Sequence, residues 1–299
     1  MSDCVPNSLR LRSDSRFATF YTSNKMKNLI VRHIAIPQDH GSWVFLLSPL
    51  LIGLFAGGSW SSASVFLIIA ALAGFLIRQP ATILVKIYTG RRSRRDLPAA
   101  FFWISIYSII GMLALGGLIL LGYQYILLLG LPGILVFAWY LYLVSQRSER
   151  HKIGVGIVAS GVLALNAPAA YWVGVNWPDP RGWWLFILIW LQSAASIVYA
   201  YLRLNQRNLP ETTSLSTRIS LGRRALLYTT FNLLFVLVLS ISGVLPILLP
   251  FPYALQWVET LWGTVRPAIG VKPTAVGIRQ LIISTIFTIL FILTWGYPF

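Results

Sequence analysis

The chain has 299 residues, 57% of them hydrophobic and 11% charged, with a mean hydropathy of +0.72. Soluble domains carry about 25% charged residues, so this balance excludes an ordinary soluble enzyme and points to a polytopic membrane protein. A net charge of +16 would suggest nucleic acid in a soluble domain. In a chain this apolar it fits loops held on one membrane face beside anionic lipid, and no nucleic-acid partner is expected.

In chain order, residues 1–33 form a polar, basic leader without the apolar core of a secretory signal. It is Arg- and Ser-rich, like an organellar transit peptide. Met26-Lys27 would equally open a compact chain, and disorder is expected on either reading. The only cysteine, Cys4, lies here, so no internal disulfide can form. Residues 34–299 are expected to make one transmembrane domain. A bilayer crossing takes about 20 apolar residues. Nine candidate spans follow, at 41–58, 62–77 (running on towards 85), 99–121, 125–144, 153–175, 183–202, 225–249, 252–264 and 275–295. The eighth is short and carries an acid.

Charge placement tests this division. With the N-terminus inside and nine spans alternating, every Lys and Arg except Arg181 falls on the inner side. Merging the seventh and eighth spans would send Arg266, Lys272 and Arg279 outside. The preference for basic inner loops therefore selects nine. Small residues gather in "GMLALGG" and in "GVGIVASGVLALNAPAA", where Gly156 and Ser160 form a small-xxx-small pair that permits close helix approach. Trp60, Trp172, Trp177, Trp183, Trp184 and Trp295 sit near span ends, as interfacial belts do.

Few polar groups approach the apolar spans. "PQDHGSW" puts Gln38, Asp39 and His40 at the start of the first. Asp39 suits a helix cap and Trp43 a headgroup-depth anchor, while an imidazole beside a carboxylate also suits the rim of a binding site. Arg78 interrupts the apolar run after the second span. It either snorkels to the interface or, with Lys86, grips an anionic group such as a phosphate. Arg91, Arg92, Arg94 and Arg95 read as a topology anchor. Asn166, just before Pro168, either takes the carbonyl which that proline frees or faces a cavity. Glu259 is the one acid inside a span, a functional candidate by default if the eighth segment crosses. Gln192, Asn205 and Gln206 are expected to be solvated towards the inner end of the sixth. There is no Walker loop, HExxH site or pair of intramembrane histidines, and no metal or cofactor is expected.

"PQDHGSW" followed by a long span resembles the "REHGAW" opening of the YwiC-like family of bacterial membrane proteins. "FLIRQP" and "KPTAVGIRQLIISTIF" are similar to its later landmarks, although Gln38 stands where that family has an Arg-Glu type pair. The resemblance implies a multi-pass protein of a bacterial plasma membrane or another internal bacterial membrane, with a cytoplasmic N-terminus. It carries no defined activity. Nine spans with polar inner loops after the second and sixth also resemble UbiA-type prenyltransferases, whose Asp-rich motifs in those loops hold magnesium on a prenyl diphosphate. Here those loops offer Asp96 among arginines, and Asn205, Gln206 and Glu211. Amides are poor replacements for paired carboxylates around a hard cation. The expectation is an all-α, UbiA-like membrane bundle that binds membrane lipid, in particular an isoprenoid or other anionic lipid, without the magnesium clamp. The alternatives are a small-solute or ion transporter and a non-catalytic assembly factor.

Overall fold

The computed structural model describes residues 32–37, 40–148, 153–210 and 213–296. Among these there is no strand. A single helical turn, α1 (Arg32–Ala35), precedes α2 (His40–Gly57), α3 (Ser62–Leu76), α4 (Arg78–Tyr88), α5 (Leu97–Leu120) and α6 (Leu127–Ser145). Then come α7 (Ile153–Ala164), α8 (Asn166–Val175), α9 (Arg181–Gln206), α10 (Leu215–Ile241), α11 (Pro250–Val265) and α12 (Pro273–Trp295). Prolines produce two of the divisions. α3 stops at Leu76, four residues before Pro80, and α7 stops at Ala164, four before Pro168. Each proline lacks the N–H that would bond the carbonyl four residues back, and its ring crowds that carbonyl.

Rejoined across these breaks, the helices give seven segments long and apolar enough to cross a membrane: Ser62–Tyr88, Arg94–Leu120, Gln124–Ser145, Ile153–Val175, Arg181–Gln206, Leu215–Ile241 and Pro273–Trp295. This is an integral membrane helical bundle. The expected first and eighth spans are helices too, but shorter. α11 has 16 residues, about 24 Å at 1.5 Å per residue. The apolar core joins α2, α8, α9 and α12 through Ile52, Tyr171, Leu185, Leu188, Phe287 and Phe291. The central element is α9, with 67% of its apolar window buried, against 6% for the segment containing α6.

The spans alternate so that the ends of α4, α6, α9 and α11 and the starts of α2, α7, α10 and α12 share one end, the basic one. Several residues expected in loops there ride on helices instead. α10 starts at Leu215, so Arg218, Arg223 and Arg224 belong to it. Ser214 caps it, its hydroxyl accepting from the Thr217 N–H at 3.3 Å. Arg279, counted with the inner loop in the sequence, lies in the second turn of α12.

The tightest contact joins α2 to α8. A Cβ on Gly53 would lie 2.2 Å from the Ala167 carbonyl oxygen, and one on Gly174 would lie 2.7 Å from the Gly57 Cα. Bare backbones meet here, in the small-residue packing that membrane helices favour. A Cβ added to Gly156, singled out in the sequence, would make only an ordinary contact with Ile197 at 3.5 Å. Gly53→Val is expected to lower stability by on the order of 1–3 kcal/mol through overpacking, read as an earlier thermal transition in detergent. Gly116→Val, with nothing within 4 Å of its added Cβ, is expected to leave that transition in place.

Candidate functional site

Polar side chains concentrate where α9, α11 and α12 meet near the basic end. Glu259 of α11 is the centre. Arg279 of α12 donates to it through both arms of its fork, Nε to Oε1 at 2.6 Å and one terminal nitrogen to Oε2 at 2.7 Å. The Tyr199 hydroxyl of α9 donates to Oε1 at 2.7 Å. The carboxylate is thus held by three donors, as a buried ion requires. Gly263 makes room for the tyrosine, since a Cβ there would sit 2.2 Å from its hydroxyl. Arg279 also stacks on the Trp262 ring, 3.8 Å from its centroid, which adds a cation–π contact.

A second arginine lies beside this group. Arg203 has 7% exposure, and its guanidinium is 5.6 Å from the Trp262 centroid. One terminal nitrogen donates to Gln206 Oε1 at 3.0 Å and to the Gly263 and Arg266 carbonyls at 2.8 and 2.7 Å. Those carbonyls terminate α11, so the negative end of its dipole faces the cation. Gln206 Nε2 shares the Gly263 carbonyl at 3.0 Å. The charged side chains of this cluster are therefore two arginines and one glutamate.

An apolar groove of about 230 Å³ opens among α2, α9 and α12 at the same end. Gly41, Phe45, Ala200, Leu204, Val276 and Leu281 are among its walls. Gln280 donates to Ser196 on this side of the α9–α12 contact. Towards the middle of the bundle the seam continues through buried amides. Gln256 donates to the Gln192 carbonyl at 3.3 Å and Asn232 to the Leu191 carbonyl at 2.8 Å.

The sequence candidates do not come together. Asp39 and residues 1–31 of the leader expected to be disordered over 1–33 lie outside the described residues, while its last two, Arg32 and His33, open α1. α2 opens at His40, whose side chain is likewise outside them, and Gly41 lines the groove. Trp43 is half-buried, its ring edge-on to Phe75 at 5.0 Å, so it packs helix on helix. Arg78 lies 5.9 Å from the Phe75 and Tyr140 ring centroids. It and Lys86 share the short helix α4, eight residues and about 12 Å of rise apart. Asn166 does not take the Ala164 carbonyl that Pro168 frees. Its Nδ2 donates to the neighbouring Leu163 carbonyl at 2.8 Å, because the chain has already turned between α7 and α8. Of the candidates whose side chains are described, Glu259 alone enters the polar cluster.

Sequence reasoning missed most of that cluster. Gln192 and Gln206 were expected to be wet but are buried, because α9 runs through the centre of the bundle to Gln206. Asn205, one residue earlier, is exposed. Arg203 and Tyr199 carried no motif, and Arg279 lay within the landmark "KPTAVGIRQLIISTIF" without being singled out. The available signal was Glu259 itself, since a carboxylate in a span requires a cationic partner.

Comparison with known proteins then adds family and fold. Residues 36–171 match the profile of one protein family. The match is to the YwiC-like proteins. The bundle is also similar to a solved structure reported under digeranylgeranylglyceryl phosphate synthase in membranes, a UbiA-type prenyltransferase. That similarity has a TM-score of 0.55 and 13% sequence identity, covering 91% of this chain and 98% of the other. It shows a shared fold. Comparison with curated proteins finds no match.

The described residues at the two loop positions do not fit the magnesium that this fold family implies; Glu211 lies outside the described residues. Asp96 is held by Arg92 Nε at 2.6 Å, and the basic end of α9 presents Arg203, Asn205 and Gln206. Among the described residues no group of three His, Cys, Asp or Glu side chains comes together.

Glu259→Gln is expected to destabilise the bundle by more than the ~0–1 kcal/mol typical of a surface pair such as Arg92–Asp96. The loss should stay below the ~3–5 kcal/mol of a fully buried pair, because the Arg279 side chain is 42% exposed. Thermal unfolding of Glu259→Gln beside Asp96→Asn measures the order.

Proposed function

We propose that the protein binds an anionic lipid of isoprenoid type without a metal clamp. The headgroup lies at the basic end, and the chain occupies the groove among α2, α9 and α12. The observation that carries this reading is the surplus positive charge of the cluster, buried Arg203 and half-exposed Arg279 to one glutamate, at the same end of the bundle as an apolar groove. Buried cations call for a counter-charge, and Arg266 and Lys272, exposed on the same rim, add to the attraction. The prenyltransferase-like fold supports an isoprenoid chain as the apolar part. By the preference for basic inner loops, the basic end and the N-terminus face the cytoplasm of a bacterial cell. Ion or solute transport would require Glu259 to exchange partners. Its three donors favour a fixed pair, and lipid binding is the better reading.

Geranylgeranyl diphosphate is expected to bind the purified full-length protein, to be displaced poorly by geranylgeraniol, and to bind equally well in a chelator. Charge-assisted hydrogen bonds contribute about 1.5–3 kcal/mol, so Arg203→Gln should weaken binding about tenfold or more when assayed below its thermal transition, which the lost bonds to the α11 carbonyls should lower. Equal affinity for the alcohol and the diphosphate would overturn the reading.

A further inference from the structure

A larger crevice lies away from this site. It has a volume of about 740 Å³ and runs between α6, α7 and α9, from Pro178 and Pro180 at the end opposite the basic rim to Val158 and Trp190 deep within the spans. It exists because α6 stands off from α9, leaving α6 almost uncovered by protein.

Its walls are aliphatic side chains and aromatic rings, and three of those rings have their polar atoms already engaged. Trp172 Nε1 donates to the Asp179 carbonyl at 2.7 Å, and Trp190 Nε1 donates to the Ile157 carbonyl at 2.9 Å. The Tyr125 hydroxyl is directed at the Trp172 carbonyl at 3.4 Å. Two glycines seat the indoles. A Cβ on Gly161 would fall 2.8 Å from Trp190 Nε1, and one on Gly182 would fall 2.4 Å from Trp172 Nε1. The rings therefore offer apolar faces at hydrocarbon depth, and an occupant with a polar group at that depth would find no partner there.

Size narrows the choice further. A membrane-spanning partner helix is about 10–12 Å across and about 30 Å long, several times this volume. Small-molecule sites fall at about 300–1,000 Å³, which suits one flexible chain.

We propose that this crevice is a second lipid site, which holds a single hydrocarbon chain of a membrane lipid entering from the leaflet opposite the basic rim. It is separate from the anionic headgroup site and does not depend on it. Val158 and Leu128 line it from the open side and are exposed, so a large side chain at either position fills the crevice without entering the core.

The test uses full-length protein in detergent, stripped of lipid and resupplied with phosphatidylcholine carrying dibrominated acyl chains. Bromine quenches indole fluorescence on contact, and native mass spectrometry counts the lipid retained. Quenching and one retained lipid are expected in the parent protein. Both should fall at least fivefold in Val158→Trp and in Leu128→Trp, at unchanged thermal transitions, relative to Ile289→Trp on the exposed face of α12. Leu128→Trp stands in if Val158→Trp unfolds. Equal retention and quenching in the two crevice variants and the control would mean annular lipid only and would overturn the site. So would a protein dimer that the crevice variants abolish, which would make the crevice a protein interface.

Discussion

A carboxylate inside an apolar bundle is the constraint on which the basic half of this molecule is built. Glu259 cannot remain charged there without donors, and it finds them on two other helices, Arg279 on α12 and Tyr199 on α9. Those bonds fix the relative rotation and height of α9, α11 and α12. The bidentate geometry of the arginine is more demanding than simple attraction, because a fork accepts a carboxylate over a narrow range of angles. Trp262 then lies against both Arg279 and Arg203, and Gly263 admits Tyr199. A polar cluster and a close helix approach are here one arrangement.

The other half of the bundle is organised differently. α2 and α8 touch through Gly53, Gly57, Ala167 and Gly174, where dispersion between backbones replaces polar bonding. Away from that seam the helices separate, and α6 is the extreme case. The two halves thus produce two kinds of apolar space: a small groove beside the charged cluster, and a large aromatic crevice distant from it.

The prenyltransferase-like fold is retained while the chemistry of its loops differs. Where paired carboxylates would hold a cation, Asp96 is bound by Arg92, and α9 ends in an arginine and a glutamine whose donors are turned to the α11 carbonyls. The basic end of the described bundle carries cationic side chains and no cluster of three metal-ligating groups. Fold alone does not carry a reaction with it, and the proposed lipid binding rests on this charge balance.

Much of the architecture was legible in the sequence because lipid demands it. Apolar runs of the required length and the one-sided placement of Lys and Arg gave the order of the helices and the basic end, and Glu259 was singled out by its cost. Span ends were less visible, since basic residues such as Arg203, Arg218 and Arg279 continue helices that hydropathy alone stops short. The partners of Glu259 were hidden as well, because they lie 60 and 20 residues away in the chain and an arginine near a span end reads equally as a topology anchor. By itself the sequence determined that this is a helical membrane protein with one strongly basic end, through the cost of leaving backbone and charge in hydrocarbon. Only the tertiary structure decided which polar groups meet, which arginines are buried and where the bundle leaves room, because those follow from helix rotation and spacing, which hydropathy does not encode.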